Sequence, residues 1–482
     1  MKVSALDNLQ IGTVPTEKGG NMLKDIVTAQ RALFIPGAHT ELRAQKNRTR
    51  KVISVKGNLM GNSRVEESGV SARVRKNGVY GFSSMAELSE EAAKAVLSAA
   101  SENAVFMDKH AGKKEGELAA ISGSKVEELV ELPETDQKVY IDFVKNLDDY
   151  VTKKYPDLAS RTFVAMEETF EKDLVTSDGI DSHIILPRSY VYVIFNAETK
   201  DGMPVEISKA IGGEGIFTNN FMDMDEAYRT ADELYESIMQ KREGVYADAG
   251  EKTVILGGMM TGMLAHEAVG HTVEADLVRG GSVAGPNLNK RVGTELVNLT
   301  DFAHTAFGER VPLPVFADDE GTPAVDCELI KDGILVGYMN NRETAEMFNM
   351  APTGNARGFT FSDEPLIRMR NTVVHPGKDK LEDMIASIDD GYYLIDSGNG
   401  QADTTGEFMF GVTQGYEIKK GKLGKALLDT TVSGVAFDML KTVDMVSDNL
   451  TWSSSGYCGK KQPMPTSMGG PELRCRITIG GR

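Results

Sequence analysis

Cysteine, tryptophan and histidine are scarce in this chain: three, one and seven among 482 residues. Three cysteines make no disulfide framework for so long a chain, which fits a reducing compartment and leaves packing, metal binding or redox chemistry as their work. Long apolar runs are missing too. The most apolar interval, Thr253 to Ala265, is about 13 residues, too short to cross a bilayer. The amino terminus, "MKVSALDNLQIGTVPTEKGG", has no apolar core of the kind a secretion signal carries. A cytoplasmic location is therefore expected. Positive charge is also in deficit, with 53 Lys and Arg against 71 Asp and Glu, a net charge of -18 and a pI near 5.0. A surface this negative repels phosphate backbones and anionic lipid, so neither nucleic acid nor a membrane is expected as a partner. The one basic run, "KNRTRK" from Lys46 to Lys51, sits between alternating segments and reads as a solvated strand edge or a turn.

What is present is the balance of a folded protein: 41% hydrophobic and 26% charged residues. The length exceeds one ordinary hydrophobic core and calls for two or three domains. Residues 1–20 are polar, lack a period, and read as a flexible arm. Residues 21–106 read as an α+β domain: a helical period from Asn21 to Phe34, alternating runs at Thr40–Ala44, Val52–Lys56 and Val70–Phe82, and a helix from Met85 to Asn103. Residues 107–134 read as a linker. Residues 135–245 form a second α+β unit, its first helix placing Val139, Phe143, Leu147 and Val151 at helical spacing before Pro156. From 246 to 482 the character becomes β-rich. There "CELIKDGILVGYM" is a hairpin turning at Asp332-Gly333, with short helices expected at Arg342–Phe348, Lys380–Ser387 and Phe437–Val446. The fold class expected is α+β, with strand-and-helix domains first and a β-rich C-terminal domain carrying a metal-binding helix.

That helix holds "AHEAVGHTVEAD", Ala265 to Asp276, with two histidines and a glutamate ordered H-E-x-x-x-H. On a regular α-helix, positions five apart are rotated by roughly 140°, so His266 and His271 would diverge. Gly270 suggests that the backbone there is not regular, because glycine costs about 1 kcal/mol against alanine inside a helix. A widened π-type turn would restore alignment; a helix ending at Gly270 could also turn His271 back. Two imidazoles and one anionic ligand are the donor set of a hydrolytic zinc site, with a fourth position for water. Glu267, beside a ligand, is placed to take that water's proton and pass it to the leaving amine. Two exposed helix histidines without metal are the alternative reading.

The third ligand is open at this point. Cys475 in "ELRCRITI" and Cys327 in "VDCEL" alternate with polar neighbours and read as core. Cys458, in "SSSGYCGKKQPMP", has no strand period and is bracketed by Gly456 and Gly459, so a permissive loop could present it to a metal. Glu274 and Asp276 are rival anionic ligands, or partners that orient a histidine. His39, His110, His183, His304 and His375 have no ligand-type spacing.

Taken in order, "HEAVGHTVEAD", "ADDEGTPA", "NMAPTGNARG", "IRMRNT" and "YCGKKQPMPTSMGGPELR" resemble the TldD/PmbA family of zinc metallopeptidases. More narrowly they are similar to its TldD-type catalytic member, since the PmbA-type partner lacks the histidine motif. The resemblance is dense from about Val254 onward and fainter over Thr40 to Asn103. It implies that His266, His271 and Cys458 bind Zn2+ and that Glu267 is the catalytic base. It further implies hydrolysis of short or unfolded peptides, in a homodimer or a heterodimer with a PmbA-type sibling that encloses the site. Binding of the peptide at a sheet edge would suit such a chamber. Asn355 and Arg357 in "PTGNARGFTF" could donate to a substrate carbonyl or simply belong to a loop; Arg368, Asn371 and Thr372 read as structural. The competing reading from another class is a metal-stabilised scaffold or partner subunit without turnover of its own, against which the intact Glu267 argues.

Overall fold

The computed structural model describes residues 22–111, 116–121 and 125–480; the arm expected over residues 1–20 lies outside the described residues. The chain begins with α1 (Met22–Thr28), β1 (His39–Val55), β2 (Asn58–Lys76), β3 (Val79–Met85) and α2 (Glu90–His110). It continues through β4 (Lys125–Glu128), α3 (Gln137–Lys154), β5 (Ser160–Thr176), β6 (Asp181–Glu198), β7 (Pro204–Glu214), α4 (Phe217–Asn220) and α5 (Asp225–Lys241). All seven strands join one sheet in the order β3-β2-β1-β5-β6-β4, with β7 also paired to β6. Residues 21–106 and 135–245 therefore share a sheet, β1 running antiparallel to β5 from Glu41↔Thr176 to Val55↔Thr162. Two cores pack on it. One gathers Leu23, Val27, Val96 and Leu97 of α1 and α2 over Leu42 and Val70; the other gathers Phe143, Leu147, Leu234 and Ile238 of α3 and α5 over Phe163 and Phe195.

Local chemistry explains several boundaries. α2 starts at Glu90 because the Ser89 side chain accepts a hydrogen bond from the Ala92 N–H at 3.1 Å, satisfying one of the free donors at the helix start. Its last turn enters the stretch 107–134, which also holds β4; residues 112–115 and 122–124 lie outside the described residues. In α3 the buried residue is Tyr140, while Val139 is 40% exposed. A strict spacing of four drifts by about 40° per step around a helix of 3.6 residues per turn, and over three steps it leaves the buried face. The basic run Lys46–Lys51 is a correction: it lies inside β1, a central strand paired on both sides, not at an edge or turn. Arg48 reaches Glu66 at 3.3 Å on β2 and Glu171 at 3.4 Å on β5, so acidic cross-strand neighbours balance the run.

The remaining chain builds two more sheets. β8 (Gly250–Leu256) lies between Leu473–Ile479, antiparallel, and Asp390–Ala402, parallel. Asp390–Ala402 also pairs with Glu407–Lys419, which pairs with Thr430–Val435 and through it returns to Leu473–Ile479, so five strands close on themselves. The second sheet runs Ile334–Leu335, Cys327–Lys331, Leu299–Phe302, Asn371–Val374, Met464–Gly470, Thr451–Cys458. The Asp332-Gly333 turn forms as expected, both residues at positive φ of 46° and 74°. A helix at Arg342–Phe348 also forms, capped by Asn341.

Between the two C-terminal sheets runs α6 (Gly258–Met263). It approaches strand Met464–Gly470 so closely that a side-chain carbon on Gly470 would stand 2.4 Å from Thr261. Ion pairs tie the N-terminal sheet to this half: Lys172 of β5 reaches Asp319 at 2.7 Å, and Arg73 of β2 reaches Glu320 at 2.6 Å.

Candidate metal centre

After Met263 the helix widens. Residues Leu264–Gly270 form a π-helical turn, and the N–H of His271 donates to the carbonyl of His266, five residues back. That bonding pattern brings the two imidazoles to one side, with ring centroids 5.2 Å apart and planes at 77°. A π turn is uncommon, and here apolar burial offsets it: Leu264, Ala268 and Val269 are all at most 2% exposed in the main C-terminal core. Full burial of a leucine or valine contributes roughly 1.5–3 kcal/mol. Gly270 has ordinary helical φ of -54°. What requires glycine is space, because a side-chain carbon would fall 2.2 Å from the sulfur of Met369 and 2.9 Å from the Ala265 carbonyl.

Cys458 comes from the far end of the sequence. It is the last residue of strand Thr451–Cys458, not part of a free loop, and the register of that strand shifts between Ser453 and Gly456. Its Sγ stands 3.4 Å from Nε2 of His271. Arg368, fully buried, donates to the Cys458 carbonyl at 2.6 Å and the Gln462 carbonyl at 2.8 Å, holding both ends of the turn that follows.

His266, His271 and Cys458 thus converge, with one donor atom from each within 4.8 Å of the others. A tetrahedral ion bound at roughly 2.0–2.3 Å needs donors about 3.5 Å apart, and imidazole nitrogen with thiolate sulfur is the donor chemistry that suits zinc. The donor set therefore fits such an ion. His266 Nδ1 is buried without a protein hydrogen-bond partner.

The electrostatics follow from the crowding. Burial pushes the Cys458 thiol up, but the adjacent His266 and His271 outweigh it and draw it down to about 3. Burial likewise lowers His271, yet Cys458 and Glu274 raise it to about 10. The pocket alone is a thiolate beside an imidazolium, ready to exchange a proton for a cation.

Glu274 and Asp276, the rival ligands, point elsewhere. Glu274 is fully buried and its Oε2 accepts from Nδ1 of His271 at 2.7 Å, fixing the ring so that Nε2 faces Cys458. Lys460 lies 3.3 Å from that carboxylate and 2.8 Å from Asp276, and donates to the Ile367 carbonyl at 3.1 Å. Glu267 is the exposed acid of the group, 24% accessible in its side chain, with oxygens 3.9 Å from His266 Nε2 and 3.7 Å from His271 Nε2.

The other candidates separate. Cys327 and Cys475 sit in the core cluster. Asn355 donates to Asp301 at 2.8 Å, and Arg370 and Thr372 bond the same carboxylate, so Asn355 serves an internal network. Asn371 donates to the Leu313 carbonyl at 2.8 Å. Arg368 and Lys460 take part in holding the site although no spacing marked them; the nearest signal is the run of polar residues directly after Cys458.

An α+β fold with a buried two-histidine, one-cysteine cluster on a widened helix defines a protein of the metal-site class. Residues 249–481 match the model of the PmbA/TldA metallopeptidase C-terminal domain, and residues 40–104 that of PmbA/TldA metallopeptidase domain 1. The chain belongs to the PmbA/TldD family of metallopeptidases. It is 30% identical over 334 residues to a zinc metalloprotease TldD homolog of Saccharolobus solfataricus, covering 69% of this chain and 73% of that protein. It is 28% identical over 460 residues to a metalloprotease of Methanothermobacter thermautotrophicus, covering 92% and 95%. Its fold matches the crystal structure of TldE from Thermococcus kodakarensis with a TM-score of 0.74 at 17% identity, over 95% of this chain and 100% of that one. Among the described residues no helix is long and apolar enough to cross a membrane.

Proposed function

We propose that the chain is a TldD-type zinc peptidase hydrolysing short or unfolded polypeptides, with Glu267 as general base and His266, His271 and Cys458 as the protein ligands. The observation that carries this reading is the meeting of those three donors beside the accessible carboxylate of Glu267. Zinc held there would supply Lewis acidity and acidify a water. Glu267 takes the proton of the attacking water and returns it to the leaving amine, a transfer worth typically 10²- to 10⁴-fold. Glu274 holds His271 in one tautomer, and Arg368 fixes the backbone that delivers Cys458. The reading extends to a dimer, with itself or a PmbA-type sibling, acting in the cytoplasm; the excess of acidic residues and the three free cysteines are in keeping with that setting.

The test is to load the full chain with zinc, count metal per chain by elemental analysis, and incubate it with a mixed unfolded peptide library read by mass spectrometry. One zinc per chain and new peptide termini are expected, and Glu267→Gln is expected to keep the zinc while losing the termini. A Glu267→Gln chain that still cuts would remove the base assignment, and zinc-loaded protein that never cuts, alone or with a sibling, would leave only the scaffold.

A further inference from the structure

A cavity of about 900 Å3, partly open to solvent, lies between β5 and β6 of the N-terminal sheet and the C-terminal half. Its wall is largely apolar, with Phe170, Leu186, Val315, Phe316, Phe359 and Met464 among the lining side chains. It adjoins the metal centre by two routes. Met464 is paired directly opposite Cys458, so their side chains leave one face of the same sheet, about 5 Å apart at Cβ. Arg357, also in the wall, donates from Nη1 to the carbonyl of Met369 at 2.7 Å, and Met369 is the residue against which Gly270 of the π turn packs.

The charges in the wall are informative because all but one are already matched. Lys172 pairs with Asp319 at 2.7 Å, and Arg188 donates to Glu168 at 2.8 Å. Glu214 accepts from Arg310 at 2.6 Å, and Asp318 accepts from the backbone N–H of Ala356, Glu320 and Thr322. Arg357 is the exception. Its side chain makes that one bond to a neutral carbonyl, and no carboxylate among the described residues pairs with it. Burial, together with the nearby Arg368, lowers it from the usual arginine range to about 10. A buried guanidinium with donors to spare needs an oxygen acceptor, and an apolar cavity beside it needs an apolar group.

We propose that this cavity is the side-chain subsite that selects the peptide: a large apolar residue enters it while Arg357 donates to that residue's own carbonyl or terminal carboxylate oxygen. The proposal rests on the peptidase reading above. It makes Arg357 a specificity-determining residue.

The experiment uses the full, zinc-loaded chain and three probes: N-acetylphenylalanine, its amide, and N-acetylglycine, titrated by calorimetry or by NMR. In parallel, kcat/KM is measured for two otherwise identical peptides carrying phenylalanine or glycine at one position. Phenylalanine is expected to exceed glycine by about tenfold or more in both formats. Arg357→Gln is expected to weaken the phenylalanine probe about tenfold, with partial recovery in Arg357→Lys, and Leu186→Trp, which fills the cavity, to bring the phenylalanine-to-glycine ratio toward one. An acid that binds about tenfold tighter than its amide identifies a terminal carboxylate as the acceptor; equal binding identifies an internal carbonyl. Folding and zinc content of each variant are checked by melting and elemental analysis. The proposal is overturned if parent protein binds phenylalanine and glycine probes alike, or if folded, metal-loaded Arg357→Gln and Leu186→Trp keep the parent's discrimination. Probe binding that depends on Arg357 without any peptide cleavage would sink the peptidase reading and leave the subsite; cleavage blind to both variants would do the reverse.

Discussion

The surroundings of Cys458 and of Cys475 are equally dry, 3% and 1% exposed, yet they push the thiol in opposite directions. At Cys475, among core side chains such as Val254, burial acts against the charged form and lifts the thiol to about 12. At Cys458 the same penalty operates, but two imidazoles stand in the dry space and bring the thiol to about 3. A dry interior therefore does not by itself silence a cysteine. It magnifies whatever charge lies next to the sulfur, because little water intervenes to screen it. Cys327, with its sulfur donating to the Tyr338 carbonyl and its thiol also raised to about 12, follows Cys475.

The comparison can be broken most forcefully at the sulfur. Cys458→Ala is expected to weaken zinc binding by on the order of a hundredfold or more, measured by competition with a chelator, whereas Cys475→Ala leaves it unchanged. Unaltered affinity in Cys458→Ala would transfer the third-ligand role to another residue. The next effect is at the partner of His271: Glu274→Gln frees the ring, and roughly 10- to 100-fold lower affinity is expected in the same assay. A sharper form of the contrast is spectroscopic. In metal-free protein the Cys458 thiolate absorbance near 240 nm should persist from pH 7 down to 4, since its depressed value means protonation only as the pH falls toward about 3. Cys475, raised to about 12, should contribute none across that range, so the signal should vanish in Cys458→Ala and survive in Cys475→Ala. The smallest effect is on stability. Cys475→Ala should cost about 1–2 kcal/mol by denaturant unfolding, as expected for removing one buried atom from a packed core.

How far the sequence could be read depended on how local the cause was. The Asp332-Gly333 turn and the helix from Arg342 to Phe348 are dictated by neighbouring residues, and both form where their signals lie. The spacing His266 to His271 carried its own geometric problem, and a wider turn is what solves it. Gly270 marked the right place for a different reason, since the atom that excludes a side chain belongs to Met369, distant in sequence. Cys458 looked like a loop residue because the register shift after Ser453 erases the alternation by which a strand is recognised. The basic run in β1 looked solvated because Glu66 and Glu171, which balance Arg48, arrive only when the sheet assembles. The cavity beside the metal centre draws its wall from Phe170 through Pro465, so no window of sequence could contain it.

The π turn carries one further consequence for how such a site could arise or be lost. A widened turn amounts to a single extra amino acid threaded into an ordinary helix, so deleting one codon, for instance that of Val269, would leave the histidines four apart on a regular spiral. Everything downstream would then rotate by about 100° and slide by about 1.5 Å. The imidazoles would still face the same way, but the carboxylate of Glu274 would swing out from behind its ring, and the sulfur would meet a partner turned aside.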